Sequence, residues 1–215
     1  MTSSESKTTV LATAAAMATA GPGLAAAGPG PVEDFIARIQ SKDDTVRGPA
    51  WQTAARWGAP AVKPLVSVMQ DQDFEVARSA RRALWVITRH AGRPGATKEA
   101  KAVAHELVAF LSGSPKASQR EMLWMLSEIG SDDDVAAMAA LLTDSSMRED
   151  ARCALMRMPG RKATAALKSA FGRAPEEFKF ALAESLRQRG ESVKGYPTQK
   201  LVPSRQTTVT QPKPA

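Results

Sequence analysis

The sequence is poor in the residues that most site chemistry needs. Cysteine occurs once, as Cys153, histidine twice, as His90 and His105, and asparagine not at all. A single cysteine allows no intrachain disulfide and no cysteine-based zinc site. On a helix it is most simply a small buried hydrophobe. Without asparagine there is no N-glycosylation sequon. Aromatic residues make up only 5%, with one Tyr, and Ile is scarce. Pleated sheets draw on β-branched and aromatic side chains, so this composition favours helices.

Catalytic constellations are missing as well. His105-Glu106 begins like a zinc-protease helix, but Leu107, Val108 and Ala109 bring no second histidine. Asp132-Asp133-Asp134 reads as an N-cap and helix-dipole feature, not as a metal site. The run GRPGATK from Gly92 to Lys98 has the wrong glycine spacing for a phosphate loop, and no strand precedes it. Ser79 has no His/Asp partner at helical reach. The sequence therefore predicts no catalytic residue, no metal ligand and no cofactor.

What is present is apolar and mildly basic. Residues of the AVILMFWYC set form 43% of the chain, mostly Ala, Leu, Val and Met, which suffices for a core. The formal charge is +7, unevenly spread. From Pro31 to Gly195 there are 25 Lys/Arg against 21 Asp/Glu, and no acidic residue follows Glu191. Such an excess falls short of the dense basic stripe of a dedicated nucleic-acid binder.

The ends differ from the middle. No charge occurs between Lys7 and Glu33, and residues 1–31 are dominated by Ala, Gly, Thr and Pro. Val10 to Ala20 fits the apolar stretch of a secretory signal, with Ala18-Thr19-Ala20 or Ala25-Ala26-Ala27 as cleavage site; a flexible leader is the alternative. A secreted or periplasmic location is expected on the first reading, a cytoplasmic one on the second. The stretch is too short and too weakly apolar for a membrane span. Residues 196–215 are Pro-rich and basic, and read as a disordered tail. Residues 32–195 are left as the folded part.

Internal periodicity organises that part. Five segments align, starting at Val46 (VRGPAWQTAARW), Val76 (VARSARRALWVI), Ser118 (SQREMLWMLSEI), Met147 (MREDARCALMRM) and Phe178 (FKFALAESLRQR). Their starts are 30, 42, 29 and 31 residues apart, the long interval reflecting an insertion from His90 to Lys101. The first, fifth, eighth, ninth and twelfth places tend to be apolar or small, within about 100° of arc on a helix. Val76, Ala80, Ala83, Leu84 and Ile87 show this best, and Met147, Ala151, Ala154, Leu155 and Met158 repeat it. The last unit departs, with Arg189 at the twelfth place. Another amphipathic stretch precedes each segment, and turn residues such as Asp43-Asp44 and Asp71-Gln72-Asp73 separate the two. The unit is helix, short turn, helix, five times over.

This pattern, with Asp43, Asp44, Val46 and Arg47 leading into an Ala-rich second helix and Met147, Arg148, Ala151, Ala154 and Leu155 repeating it, resembles the HEAT-repeat family. Ala77-Arg78 and Ser118-Gln119 depart from it. The resemblance implies an all-α fold, a right-handed α-solenoid of about five HEAT-like helical hairpins between disordered tails. It also implies that the second helices line the concave face.

The places facing away from the stripe map that face. They carry Trp51, Trp85 and Trp124, with Arg47, Arg78, Arg81, Arg82, Arg120, Arg148 and Arg152, whereas Trp57 falls in the core stripe. Outward Trp beside Arg is the composition of binding hot spots. The same residues could instead stack on each other as intramolecular cation–π pairs. The leading expectation is a non-enzymatic, monomeric scaffold that binds a protein of acidic and apolar character on this strip. Nucleic-acid binding, as in HEAT-like DNA glycosylases, is the alternative, with bilin-lyase-like pigment binding a remoter one.

Overall fold

The computed structural model describes residues 32–198. The expected leader and most of the expected tail lie outside them. Ten α-helices follow one another: α1 Val32–Ile39, α2 Asp44–Gln52, α3 Val62–Val68, α4 Phe74–Ala91, α5 Thr97–Val108, α6 Lys116–Ile129, α7 Val135–Ala140, α8 Arg148–Arg157, α9 Arg161–Arg173 and α10 Glu176–Gln188. Short 3₁₀ turns at Ala54–Trp57, Ala59–Ala61 and Leu141–Thr143 extend α2, α3 and α7. No strand occurs among the described residues.

The five hairpins pair α1 with α2, α3 with α4, and so on. Each second helix packs on the next, α2 on α4, α4 on α6, α6 on α8 and α8 on α10. One hairpin cannot bury its apolar faces alone, and stacking solves this by joining them into one core. A single buried cluster runs from Phe35 to Leu186. Units two and four bury every stripe residue. At the first end, Phe35 stacks on Trp57 with ring centroids 5.1 Å apart. The chain is an α-solenoid.

Unit one corrects the expected stripe. Val46 is 40% exposed, while Arg47, expected outward, is 5% exposed. Two causes act together. Arg47 Nη1 donates to the Ser41 carbonyl at 2.6 Å and Nη2 to Asp44 Oδ1 at 3.1 Å, tying the guanidinium into the α1–α2 turn. The buried positions Arg47, Ala50, Ala54 and Trp57 also keep a helical spacing through Pro49 and the 3₁₀ turn, a stripe that runs through Arg47 and leaves Val46 beside it.

The insertion from His90 to Lys101 joins the second and third hairpins. Most of it is helix, extending α4 to Ala91 and starting α5 at Thr97, with a loop only between. Arg93 donates to both Glu99 carboxylate oxygens at 2.7 Å, closing that loop.

The turns are capped locally. Asp43 accepts from the Thr45 N–H at 2.8 Å, and Asp73 from the N–H groups of Glu75 and Val76. In the Asp triplet, a turn built on Ser131 precedes α7. The Ser131 hydroxyl accepts from the Asp133 N–H at 3.3 Å, while its own N–H donates to the Asp134 carboxylate at 2.7 Å. These bonds close a turn ahead of α7, whose N-cap residue Asp134 makes no side-chain bond to the helix's own N–H groups.

Arg189, the misfit of the stripe, has a distinct role. Its guanidinium donates to the carbonyls of Leu155, Met156, Met158 and Gly160 and to the Thr164 hydroxyl. These carbonyls lie at and beyond the end of α8, where backbone acceptors have no intrahelical partner and a cation is favoured. After α10 the chain turns at Gly190 (φ +82°) and lies back along the helix. Tyr196, assigned to the tail from sequence, packs edge-on against Phe171 and Phe180, each at 5.2 Å. Its hydroxyl donates to Glu176 Oε2 at 2.9 Å.

Candidate partner-binding surface

Helix α4 brings most of the site together. Phe74 to Ala91 buries Val76, Ala80, Ala83, Leu84 and Ile87 against the core, so the opposite face carries Arg78, Arg81, Arg82, Trp85 and Arg89 outward. Trp51 of α2 stands beside them. Between the two helices lies an open groove of about 550 Å³, lined by Trp51, Arg78, Arg81, Arg82, Trp85, Val86 and Arg89.

The indoles are not free. Arg82 of α4 lies over Trp51 of α2, its guanidinium carbon 5.1 Å from the ring centroid. Arg89 lies over Trp85 one turn earlier on the same helix, also at 5.1 Å. Trp85 Nε1 donates to Glu121 Oε2 at 3.1 Å. Stacking holds a guanidinium by its face and leaves its N–H edge available, the geometry that suits bidentate binding of a carboxylate.

The remaining predicted arginines divide by partner. Arg81 pairs with Glu121 at 3.3 Å, Arg120 with Asp150 at 3.1 Å and Arg148 with Glu177 at 3.4 Å. Each of these joins a second helix to the next one. Arg78 pairs with Glu75 and also lies over Phe74. Arg152 pairs with Glu149 and donates to the Ser185 hydroxyl at 2.6 Å. Arg82 and Arg89 have no carboxylate partner among the described residues. The α2–α4 junction therefore holds a cation–π contact where the later junctions hold ion pairs.

Of the ten predicted site residues, the groove gathers Trp51, Trp85, Arg78, Arg81 and Arg82. Arg47 is buried in a turn. Arg120, Arg148 and Arg152 serve inter-repeat or intrahelical bonds. Trp124 is 45% exposed, further along the array, with Arg157 over its ring at 5.2 Å. The sequence reading missed Arg89 and Val86. The i,i+4 relation of Trp85 and Arg89 was a signal for the first. Arg157, 33 positions beyond Trp124, had no local signal.

The sequence matches no protein-family profile and no curated protein. Engineered and designed proteins are among the solved structures similar to the chain. One engineered protein is 23% identical over 74% of this chain and 79% of its own, with a TM-score of 0.40. A second is 21% identical over 74% and 81%, with a TM-score of 0.41. A designed armadillo repeat protein, in complex with the peptide (KR)4, is 16% identical over 75% and 88%, with a TM-score of 0.38.

Among the described residues no cluster of His, Cys, Asp and Glu is placed to hold a metal ion, and no helix is long and apolar enough to cross a membrane. The chemistry the groove offers is recognition: planar cations backed by aromatic rings, with Val86 as an apolar floor.

Proposed function

We propose that the protein is a HEAT-type, non-enzymatic scaffold whose α2–α4 groove binds an acidic, partly apolar segment of another protein. The observation that carries this reading is the pair Arg82 and Arg89, each stacked on an indole and neither matched to a carboxylate. A partner's Asp or Glu would complete the junction as Glu121, Asp150 and Glu177 complete the later ones. The engagement of Arg81, Arg120, Arg148 and Arg152 with carboxylates favours a protein over nucleic acid, since it lowers the cationic field along the array. An exported location accompanies this reading, and mass spectrometry of the mature N-terminus tests it.

The test of binding is a tryptophan-fluorescence titration with an acidic peptide containing Leu and Phe, a basic peptide of equal length, and a DNA oligonucleotide. The acidic peptide should bind alone, and Arg82→Gln with Arg89→Gln should weaken it by about tenfold, ~1.4 kcal/mol. Preferential DNA binding with a steep loss in salt would sink the proposal, as would equal affinity in the double variant.

A further inference from the structure

A second cavity, of about 280 Å³, lies between the fourth and fifth hairpins and shares no residue with the groove. It exists because local structure leaves space there. Helix α7 is only six residues long and gives way to the 3₁₀ turn at Leu141–Thr143. Facing it, α9 presents Ala166 and Ala170, one turn apart on the same side, too small to fill the gap. Leu142, Ala139, Ala174 and Pro175 complete an apolar wall.

The polar lining is all donor-rich. Thr143 and Ser169 contribute hydroxyls, and Arg148 and Arg173 contribute guanidiniums. Arg173 Nη2 donates to Ser169 Oγ at 2.9 Å. The Arg148 side chain is 23% exposed, lies over the Phe178 ring at 4.7 Å, and reaches the exposed Glu177 only at 3.4 Å, the long end of a hydrogen bond. No Asp or Glu lines the cavity.

One place in the repeat bears on that lack. In units one, two and four, an aspartate stands three residues ahead of the first stripe residue: Asp43, Asp73 and Asp144. Asp144 accepts an ion pair from Lys116 of the preceding unit. In units three and five the same place is proline, Pro115 and Pro175; Pro175 lines the cavity and brings no carboxylate to the two guanidiniums.

We propose that this cavity binds a small organic carboxylate, an aromatic or branched aliphatic acid of about benzoate size. The carboxylate would take the place left by Pro175, held by Arg148 and Arg173, with the hydrocarbon against the alanines and Leu142. Volume agrees: an apolar cavity of about 150 Å³ is enough for benzene, and drug-sized ligands need about 300 Å³ or more. A bare anion such as phosphate would leave the apolar wall unused.

Alanine-methyl NMR of the full chain, titrated separately with benzoate, benzyl alcohol and inorganic phosphate, tests this. Benzoate should shift the methyls of Ala139, Ala166 and Ala170 saturably, and bind about tenfold more tightly than either control. Arg173 is exposed at the end of α9, so Arg173→Gln should fold normally and weaken benzoate about tenfold. An Arg82→Gln/Arg89→Gln variant should leave benzoate binding unchanged, which separates this site from the groove. No saturable shift up to about 10 mM benzoate overturns the proposal. So does equal binding of benzyl alcohol, or unchanged affinity in Arg173→Gln.

Discussion

Arg82 of α4 lies over the indole of Trp51 of α2, 5.1 Å from its centroid, and this contact spans the first inter-repeat junction without any carboxylate. A partly exposed cation–π pair contributes about 0.5–1 kcal/mol. Arg82→Gln should therefore lower stability by no more than that, and weaken an acidic partner by about threefold, half of the double variant's effect in free energy. Urea melts alongside peptide titrations would check this. A stability loss with unchanged affinity would mean that the pair is structural. Arg82→Lys keeps the charge but loses the planar fork, and should bind nearly as poorly as Arg82→Gln.

The end of α8 depends on a single side chain from the last hairpin. Arg189→Met should destabilise the array by about 2 kcal/mol, because several carbonyls lose a charged donor at once. The effect should localise. Hydrogen exchange should rise at the α8–α9 connection and in α10, and remain unchanged in α2 and α4. Uniform exchange across the chain would contradict the assigned role.

Gly160 combines two constraints. Its φ is +95°, and a Cβ there would stand 2.5 Å from Asp132 Oδ1. Gly160→Ala should cost about 1 kcal/mol or more from backbone conformation, with the clash added. Asp132→Ala in the same chain should recover the clash component and leave the conformational one. A double-mutant cycle with no coupling would rule out the contact.

Several carboxyls are held below their ordinary pKa by bonds made only in the folded state. The Lys116 ammonium and the Ser146 hydroxyl and N–H depress Asp144. The Arg93 guanidinium depresses Glu99. The Thr198 hydroxyl, with Gln188 and Arg187, depresses Glu184. Below the unfolded pKa of about 4, the unfolded chain takes up protons that the folded chain refuses, so stability is full above that pH and falls as pH drops. Denaturant midpoints measured from pH 7 to pH 3 should decline accordingly. Asp144→Asn should lower the midpoint at pH 7 and flatten the decline.

The segment after α10 makes a separate prediction. Tyr196→Ala removes the contacts with Phe171 and Phe180 and the bond to Glu176. Exchange protection near Glu176, Phe180 and Glu184 should drop, with the second-helix layer from α2 to α8 intact. Unchanged protection in α10 would show that the segment contributes nothing there.

The sequence by itself determined the number of hairpins, the place of each second helix and most of the core. A stripe such as Val76, Ala80, Ala83, Leu84 and Ile87 is a property of one helix and its 3.6-residue period, so it can be read without knowing the neighbours. It also singled out Trp51, Trp85 and the α4 arginines as a surface of interest. Where it failed, nonlocal or irregular geometry was the cause. In unit one the buried stripe runs through Arg47, tied to the Ser41 carbonyl and Asp44, in place of Val46. Arg189 left the stripe to reach carbonyls about thirty residues back. Which arginines are matched and which are not was decided only by the tertiary structure. The carboxylate that engages Arg81, Arg120 or Arg148 comes from the next repeat, and its reach depends on how far one helix is offset along another, which a single helix's sequence does not encode.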